Sequence, residues 1–441
     1  MTPSRLLPLA AALATMLACA PAGAQSLQQL YESARANDAP WQSARAQYDA
    51  NLFRADQATA GILPTANLSA SATRSALDIN VPVADRTFGT QSALLSASQP
   101  LYRPANWATY KQGRLQVDLA QAQLTAASQD LIIRLSQAYF DVLAAQDTLS
   151  VVRAQKAAVA EQLASAKRNF EVGTSTITDT REAQARYDLT LSQEIAAEND
   201  LRVKRLALDV VVGGRDTQPL PLALPMEVPA PEPANPEAWV EQAENANPGI
   251  LQARTTVDIA TLETEKARAG HKPTVDLTAS YGNQRNVDGT LTTAISNRVN
   301  TGTAGVTFNL PLFAGFATQN RLRETLALEE RARSDLENAR RTAAQATRAA
   351  YFGVVSGQGQ VKALEAAEAS SQSSLDANRL GYQVGVRINI DVLNAQTQLY
   401  QTKRDLALAR YNVILGHLKL RQANGTLQAS DLDRLAILIT K

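Results

Sequence analysis

The chain repeats itself, and this internal duplication constrains the fold more than any other feature of its 441 residues. The segment AGILPTANL at 60–68 returns as AGHKPTVDL at 269–277, and the triplet AYF at 138–140 returns at 350–352. The two recurrences are separated by 209 and 212 residues, so the motifs keep both their order and their spacing. The sequence therefore predicts two copies of one structural unit of about 200 residues.

A proline-rich segment separates the two copies. Seven of the 18 prolines lie in the segment 219–236. Proline fixes φ and lacks the backbone N–H that a helix needs, so we predict an extended connector there. The first repeat is placed at 25–218, the second at 237–427 and a C-terminal tail at 428–441.

Long stretches without proline predict long helices. No proline interrupts residues 105–218 or follows Pro311, and apolar residues in these stretches recur at helical spacing. In the first repeat we predict helices over 104–171 and 177–212, which would be about 100 Å and about 54 Å long. Two glycine-centred segments are predicted to be hairpin turns between antiparallel helices: Val172-Gly173-Thr174 and Val384-Gly385-Val386.

A heptad pattern predicts that the helices pack against other helices. Five apolar residues near the C-terminus follow one another at intervals of seven: Val392, Leu399, Leu406, Val413 and Leu420. A sustained interval of seven keeps one apolar stripe facing a neighbouring helix. Alanine is frequent in these helices and allows close approach, so coiled-coil packing is the simplest interpretation.

Four short segments between the helices have the two-residue alternation of β-strands. In the second repeat, apolar residues alternate with polar or small ones over 275–281 and 306–310. The corresponding segments of the first repeat, 67–72 and 93–97, alternate more weakly. Each repeat is therefore predicted to contain helix, strand, strand, helix and helix. Polar loops are placed between the paired strands, at 78–90 and 283–303.

The first 24 residues predict export from the cytoplasm. Arg5 precedes an apolar stretch at 6–20, and the AGA at 22–24 has the small-residue pattern of a signal-peptide cleavage site, so the signal peptide is placed at 1–24. Cys19, the only cysteine, leaves with this segment unless it is a lipid attachment site. Against lipidation, a bulky Leu17 stands where lipoprotein signals prefer a small residue. Lipidation of Cys19 is left open.

The composition argues against several functional classes. The 43 basic and 42 acidic residues are interspersed and give a formal net charge of +1, so no nucleic-acid partner is expected. Two histidines and one cysteine are too few for a structural zinc site, and no paired catalytic groups stand at a useful spacing. We therefore expect no enzyme activity, no catalytic residues, no metal site and no cofactor.

The amphipathic strands suit the wall of a transmembrane barrel in an exported protein. A small soluble sheet packed on the helices is the alternative. If the strands cross lipid, every strand edge must be paired, because unpaired backbone groups in hydrocarbon are costly. Four strands cannot close a barrel, so several copies of the chain must share one. Two copies would give eight strands and three would give twelve, and the composition does not decide between them.

The two turn regions carry a resemblance to a known family. FEVGTSTITD at 170–179 and GYQVGVRINIDVLNAQ at 381–396 resemble motifs of the TolC family of outer-membrane exit channels, and the likeness covers essentially all of the mature chain. The resemblance implies a mainly α fold with transmembrane β-structure. Long antiparallel helical hairpins would form an α-barrel, and four strands per chain would contribute to a shared twelve-stranded β-barrel. It also implies a homotrimer in outer-membrane lipid, with its helical tunnel in the periplasm.

The resemblance implies a function as well. The trimer would be the exit duct of a tripartite efflux or type I secretion system, and would passively conduct substrates that an inner-membrane pump delivers through a periplasmic adaptor. The pump class (ABC, RND or MFS), the cargo and the resting state remain open. The alternative is a periplasmic coiled-coil adaptor or scaffold without membrane insertion. An adaptor places one hairpin between small β domains, whereas this chain has two hairpins and two strand pairs.

In the family, the tunnel is closed where the helix hairpins converge at its far end. Residues of this chain that match the family's closing residues form a predicted gate. Thr178 and Asp179 lie on one hairpin, and Tyr382 and Arg387 lie on the other. The resemblance implies that Tyr382 bonds Asp179 and that Arg387 bonds near Thr178. Charge-assisted bonds of this kind are worth about 1.5–3 kcal/mol when shielded. The turn residues that an adaptor would contact are Val172, Gly173, Thr174, Val384, Gly385 and Val386.

The predicted constriction departs from the family pattern. Members often carry two rings of aspartate one helical turn apart, but here Asp391 matches the first ring and Asn394 occupies the second position. A trimer would then present three carboxylates in place of six. Because ring charge sets the field in a pore, we expect weaker block by multivalent cations than in a channel with two rings.

Overall fold

The computed structural model describes residues 25–80, 83–221, 229–290 and 293–433. The predicted signal peptide lies outside the described residues, as do parts of the predicted connector and tail. Within the described ranges, no helix has both the length and the apolar character required to cross a membrane.

The elements follow the same order in both halves of the chain. The first half contains α1 (Leu27–Asn37), α2 (Ala39–Thr59), β1 (Thr65–Asn80), β2 (Val83–Tyr102), α3 (Pro104–Glu171) and α4 (Ile177–Val212). The second half contains α5 (Pro236–Ala246), α6 (Pro248–Ala269), β3 (Thr274–Val287), β4 (Asn297–Asn309), α7 (Ala317–Gln383) and α8 (Asn389–Ala423). The helices predicted over 104–171 and 177–212 are confirmed at both ends.

The described residues divide into two compact units, and each unit draws on both halves of the chain. The helical unit comprises residues 25–44, 125–247 and 342–433. The strand-bearing unit comprises residues 45–124 and 248–341. Each unit combines segments from both predicted repeats, so the division into units does not test the repeat boundaries, which stay a prediction.

The opening helix of each half differs from the prediction, because it is two helices rather than one. Asp38 separates α1 from α2, and Asn247 separates α5 from α6. Pro40 and Pro248 follow these breaks. Proline is tolerated in the first turn of a helix, where its missing N–H would have no partner, but it breaks a helix interior. Asp38 also caps α2, since its carboxylate accepts a hydrogen bond from the Trp41 N–H at 2.9 Å.

Asp38 forms an ion pair inside the helical unit. Its two carboxylate oxygens accept hydrogen bonds from Nη1 and Nη2 of Arg134 on α3, both at 2.9 Å, and the Asp38 side chain is nearly buried. The hydrogen bond from Arg134 holds the pKa of Asp38 below its ordinary value. A carboxyl group with a lowered pKa in the folded state stabilises the fold at neutral pH, and this stabilisation is lost as the pH falls through that pKa.

Asp38→Asn is expected to lower the free energy of unfolding at pH 7 by about 2 kcal/mol, because the amide still caps α2 but loses the charged pair with Arg134. The difference should shrink at pH 3, where the native carboxyl group begins to be protonated. Thermal loss of helical circular dichroism at both pH values measures it. Asp130→Asn is the matched control. Asp130 binds the same Arg134 at 2.7 Å but is exposed, so a loss below about 0.5 kcal/mol is expected. Equal losses in the two variants would contradict the prediction.

The four strands form one antiparallel sheet in the order β1-β2-β3-β4, inside the strand-bearing unit. β2 pairs with β3, so the two halves of the chain join in the middle of the sheet. Within the described residues, β1 and β4 are each paired along one edge only. A single chain therefore leaves two edges of the sheet available for pairing.

One face of the sheet is apolar and the other is polar. In one cross-strand row Leu68 pairs with Leu95, and Leu95 pairs with Tyr281; all three side chains are exposed. The opposite face carries mostly serine, threonine and asparagine. Hydroxyl groups on this face contact each other across neighbouring strands at Ser71–Ser92 (2.8 Å) and Ser280–Thr303 (2.7 Å). The alternation that predicted the strands is confirmed.

The strands are longer than the short alternating segments that predicted them. They contain 16, 20, 14 and 13 residues, so the loops predicted at 78–90 and 283–303 are shorter than expected. β2 already starts at Val83, and β3 continues through polar residues to Val287. Strands pair through hydrogen bonds between their backbone groups. A strand can therefore continue through residues with polar side chains, where the alternation with apolar residues has ended.

Candidate functional site at the helix tips

Both helical hairpins turn on a glycine with the same geometry. In each turn the glycine N–H bonds the carbonyl three residues back, and the next N–H bonds the carbonyl five residues back. The pairs are Gly173–Phe170 and Thr174–Asn169 in one hairpin, and Gly385–Tyr382 and Val386–Gly381 in the other, at 2.8–3.2 Å. This is the Schellman motif, which needs a left-handed residue, and the two glycines have φ of 77° and 81°. The predicted hairpin turns are confirmed.

Each tip exposes apolar side chains. Val172, beside the first glycine, is 73% exposed, and Val384 and Val386, on either side of the second, are 65% and 76% exposed. Both glycines face open space. Exposed aliphatic side chains held beside an ordered turn are typical of a surface that meets another protein. The six residues predicted to contact an adaptor are thus accessible, and the contact itself stays a prediction.

Asp179 stabilises the start of α4. The Thr176 hydroxyl accepts a hydrogen bond from the Asp179 N–H at 3.2 Å, and the Asp179 carboxylate accepts from the Thr176 N–H at 3.0 Å, which completes a capping box. Ser175 Oγ donates to the same carboxylate at 2.6 Å. Burial raises the pKa of Asp179, but the hydrogen bonds from Ser175 and Thr176 outweigh it and leave the pKa below its ordinary value. Asp179 is therefore charged at neutral pH, and Thr178 is exposed beside it.

Within one chain, Tyr382 and Arg387, which the sequence predicts to latch the gate, have partners that the sequence did not predict. Tyr382 Oη accepts a hydrogen bond from Asn169 Nδ2 at 3.3 Å, which links α7 to α3. Arg387 forms a loose ion pair with Asp391 at 3.8 Å, one turn further along. Neither of the two predicted latch bonds occurs among the described residues of a single chain. Those bonds stay a prediction, for contacts between copies.

A buried asparagine joins the two hairpins within one chain. Asn389, the first residue of α8, is 1% exposed. Its side chain accepts a hydrogen bond from Gln162 Nε2 on α3 and donates one to the carbonyl of Asp179 on α4 at 3.3 Å. One side chain therefore holds three helices at the tips. The sequence did not reveal it, because both partners lie more than 200 residues away along the chain.

The predicted constriction residues, Asp391 and Asn394, lie in the first turns of α8, and Asn394 has an unpredicted partner. Arg186 on α4 donates from Nη2 to Oδ1 of Asn394 at 3.1 Å. With Arg387 beside Asp391, each chain brings two guanidinium groups and one carboxylate to this region. Arg186 follows Asp179 by seven residues, so the sequence places the two on one face of α4 but does not show that Arg186 meets Asn394. Within the described ranges, no cluster of three or more His, Cys, Asp or Glu side chains is arranged to hold a metal ion.

The chain matches a family model along two long segments. Residues 30–214 and 239–426, well over half of the sequence, fit the model described as outer membrane efflux protein. The chain belongs to the outer membrane efflux protein family. The long hairpins and the four-stranded sheet are the fold of the channels in this family.

Relatives of this outer membrane efflux protein cover almost the whole chain. It is 34% identical to the outer membrane protein TolC of Vibrio cholerae, over 97% of both chains. It is 31% identical to the alkaline protease secretion protein AprF of Pseudomonas aeruginosa, over 92% of this chain and 85% of that one. The crystal structure of the CmeC outer membrane channel of Campylobacter jejuni matches it with a TM-score of 0.80 at 18% identity, over 94% and 89% of the two chains. That structural match establishes the fold alone.

Family membership fixes the location and the general role. This outer membrane efflux protein is an outer-membrane exit duct whose helices lie in the periplasm. The predicted fold class, mainly helical with four antiparallel strands, is confirmed. The alternative of a periplasmic adaptor or scaffold without membrane insertion is wrong, because the family consists of outer-membrane proteins. The family is one of transport channels and not of enzymes.

Proposed function

We propose that three copies of the chain form one channel, with twelve strands closed into a barrel in the outer membrane and the helices joined into a periplasmic tunnel. The sheet carries this proposal, because over the described residues its four strands have two unpaired outer edges and an exposed apolar face. Backbone groups left unpaired in hydrocarbon cost several kcal/mol each. β1 of one copy therefore pairs with β4 of the next.

The chemistry of the polar face favours three copies over two. An eight-stranded barrel has an interior that side chains must fill, whereas twelve strands enclose a lumen. The polar face consists mainly of serine and threonine, which are too small to fill a barrel and suit the wall of a water-filled pore. The duct then conducts its substrates passively.

The hairpin tips are the proposed docking site for a periplasmic adaptor that connects the duct to an inner-membrane pump. Three copies present six tips, and each tip carries exposed valine beside a glycine turn of fixed geometry. Such a complex is an efflux or type I secretion system. One relative is named for the secretion of an alkaline protease, which supports protein cargo as well as small molecules.

The proposed gate lies at the same end of the helices. In the closed state Tyr382 bonds Asp179, and Arg387 bonds near Thr178, across the boundary between neighbouring hairpins. The charge on Asp179 supports this assignment, because a carboxylate is the stronger acceptor for a hydroxyl or guanidinium donor. An adaptor that competes for the tips would open the gate.

Cysteine crosslinking at the sheet edges tests the number of copies. Cys19 is the only native cysteine, and it lies in the predicted signal peptide, so crosslinks report on the introduced thiols. Ser69→Cys on β1 and Thr301→Cys on β4 lie on the same polar face. A bifunctional thiol reagent that spans about 10 Å, or two strand spacings, is expected to yield covalent dimers and trimers, with trimers as the largest product.

The two single-cysteine variants are the controls, and they are expected to remain monomeric on a denaturing gel. Products of the double variant that end at the dimer would support an eight-stranded barrel and contradict three copies. A double variant that remains monomeric in outer membranes would contradict any shared sheet.

A further inference from the structure

A groove lined by basic and aromatic side chains lies where β2 ends and α3 begins, within the strand-bearing unit. It has a volume of about 460 Å³ and is open to solvent. Its walls come from the end of β2, the first turns of α3, and the end of α6 with the residues that follow. They include Tyr102, Trp107, Lys111, Glu265, Arg268 and Lys272.

The groove carries an excess of positive charge. Lys111, Arg268 and Lys272 share it with a single carboxylate, that of Glu265. Over the part of the chain that the structure describes, none of the three cations is engaged in an ion pair. Two ammonium groups and a guanidinium fork around an open space provide the donors that a phosphate oxygen requires.

The aromatic residues place the groove at the boundary of the lipid-facing surface. A register shift between Pro100 and Tyr102 brings Tyr102 opposite Val275, whose neighbours Leu277 and Tyr281 lie on the apolar face, so Tyr102 extends that face to the end of β2. Trp107 is 52% exposed and contacts Tyr110 edge to face. Tryptophan and tyrosine collect at membrane–water interfaces, because each has an apolar ring and a polar group. The groove thus begins where the apolar face of the sheet ends.

We propose that this groove binds the head group of an anionic phospholipid, with the lipid phosphate held among Lys111, Arg268 and Lys272. The inference rests on the proposed function, because it requires the apolar face of the sheet to be in lipid. Three cations and one carboxylate leave two positive charges. These match a lipid with a net negative charge, such as phosphatidylglycerol, better than a zwitterionic lipid whose ammonium group cancels its phosphate. The acyl chains then follow the apolar face from Tyr102 onward.

Tryptophan fluorescence tests the site with little background. The sequence has three tryptophans, and Trp41 and Trp239 are each 7% exposed, whereas Trp107 lines the groove. The full-length protein is reconstituted into phosphatidylcholine vesicles that contain brominated phosphatidylglycerol or brominated phosphatidylcholine. Bromine quenches an adjacent indole. Half-maximal quenching is expected at a mole fraction of brominated phosphatidylglycerol about tenfold lower than that of brominated phosphatidylcholine. Trp107→Phe should remove this difference.

Variants in which the cations are replaced by neutral residues show whether Lys111, Arg268 and Lys272 bind the head group. Lys111→Gln with Arg268→Gln and Lys272→Gln is expected to bring the two lipids to equal quenching. The matched control neutralises three exposed cations of the helical unit, Lys167→Gln, Lys362→Gln and Arg379→Gln, and should keep the tenfold preference. Helical circular dichroism checks that both variants fold. A preference that survives the first triple variant would overturn the assignment.

The remaining outcomes separate this inference from the proposed function. Equal quenching of the native protein by both brominated lipids would overturn the head-group site but leave the strands in lipid. Absence of quenching by either lipid would contradict membrane insertion of the sheet itself. Glycerol phosphate at millimolar concentration, added in detergent without lipid, should leave Trp107 emission unchanged. A change would show that the groove takes a soluble phosphate ester, which would also overturn the proposal.

Discussion

Asn394→Asp combined with Arg186→Gln is expected to make the channel sensitive to trivalent cations, lowering the concentration for half-block about a hundredfold. The native constriction would carry one carboxylate per chain, from Asp391, and the Arg186 guanidinium lies 3.1 Å from Asn394 Oδ1. The double variant adds one negative charge and removes one positive charge in each of the three chains of the proposed trimer. Each unit charge about 10 Å from a trivalent ion contributes on the order of 1 kcal/mol in water before salt screening.

The single variants show whether Arg186 acts at the constriction. Asn394→Asp alone places its new carboxylate within hydrogen-bonding distance of Arg186, which then competes with the cation for it. Arg186→Gln alone supplies no new carboxylate. Each is expected to shift the half-block by no more than about fivefold, so the double variant exceeds the product of the two.

Single-channel conductance in planar bilayers, titrated with hexaamminecobalt(III), measures all four forms. The ionic strength must be held constant, because salt screens the ring charges. If Asn394→Asp alone were as sensitive as the double variant, Arg186 would have no part in the constriction. If the native channel were already blocked at nanomolar concentrations, the missing second aspartate ring would have no electrostatic effect.

The ends of the long helices were predictable from sequence because the features that set them are local. Gly173 supplies the left-handed residue that ends the α3 turn, and Thr176 with Asp179 supplies the capping box that starts α4. The break at Asp38 was equally local. Pro40, a residue that suits the first turn of a helix, marks it in the sequence.

The contacts of the candidate site were out of reach of the sequence, because they depend on packing between distant segments. Asn389 meets Gln162 across 227 residues, and Arg186 meets Asn394 across 208. No spacing rule along one helix places these side chains together. Their juxtaposition follows from how α3, α4 and α8 pack, and buried apolar side chains such as Val159, Ala183 and Leu393 form that contact.

The strand lengths show a second limit of prediction from sequence. An alternation rule finds the part of a strand that has an apolar face, which here includes Leu68 and Tyr281. It does not find the continuation of the same strand where both faces are polar, as near Arg285. The sequence therefore located the amphipathic part of the sheet and underestimated the length of its strands.

Tyr382→Phe combined with Arg387→Ser is expected to raise the single-channel conductance several-fold while the trimer stays intact. The phenylalanine ring keeps the packing of Tyr382 against Leu375, Val392 and Leu399, so only polar bonds are lost. A loss of about 1 kcal/mol in each of the three chains of the proposed trimer shifts the balance between closed and open states by about two orders of magnitude. Conductance in planar bilayers and entry of vancomycin into cells measure the change, and unchanged conductance would remove the latch assignment.

Two further variants identify the partner of Tyr382. Asn169→Ala removes the contact that exists within one chain at 3.3 Å, and Asp179→Asn removes the charge of the predicted partner. If the latch joins neighbouring hairpins through Asp179, only Asp179→Asn raises the conductance. If the bond from Asn169 is the restraint, the result is reversed, and the role of Asp179 is limited to the cap of α4.

The pH dependence follows from the same carboxylate. Because the pKa of Asp179 lies below its ordinary value, the charged form and its contact persist at neutral and mildly acidic pH and are lost as the pH falls through that lowered pKa. Conductance of the native channel should therefore rise only below about pH 4, and Asp179→Asn should abolish the rise. Asp188→Asn is the matched control, since Asp188 is an exposed carboxylate on α4 that accepts a hydrogen bond from Gln184 at 2.9 Å. A pH response that persisted in Asp179→Asn and vanished in Asp188→Asn would assign the titrating group to Asp188.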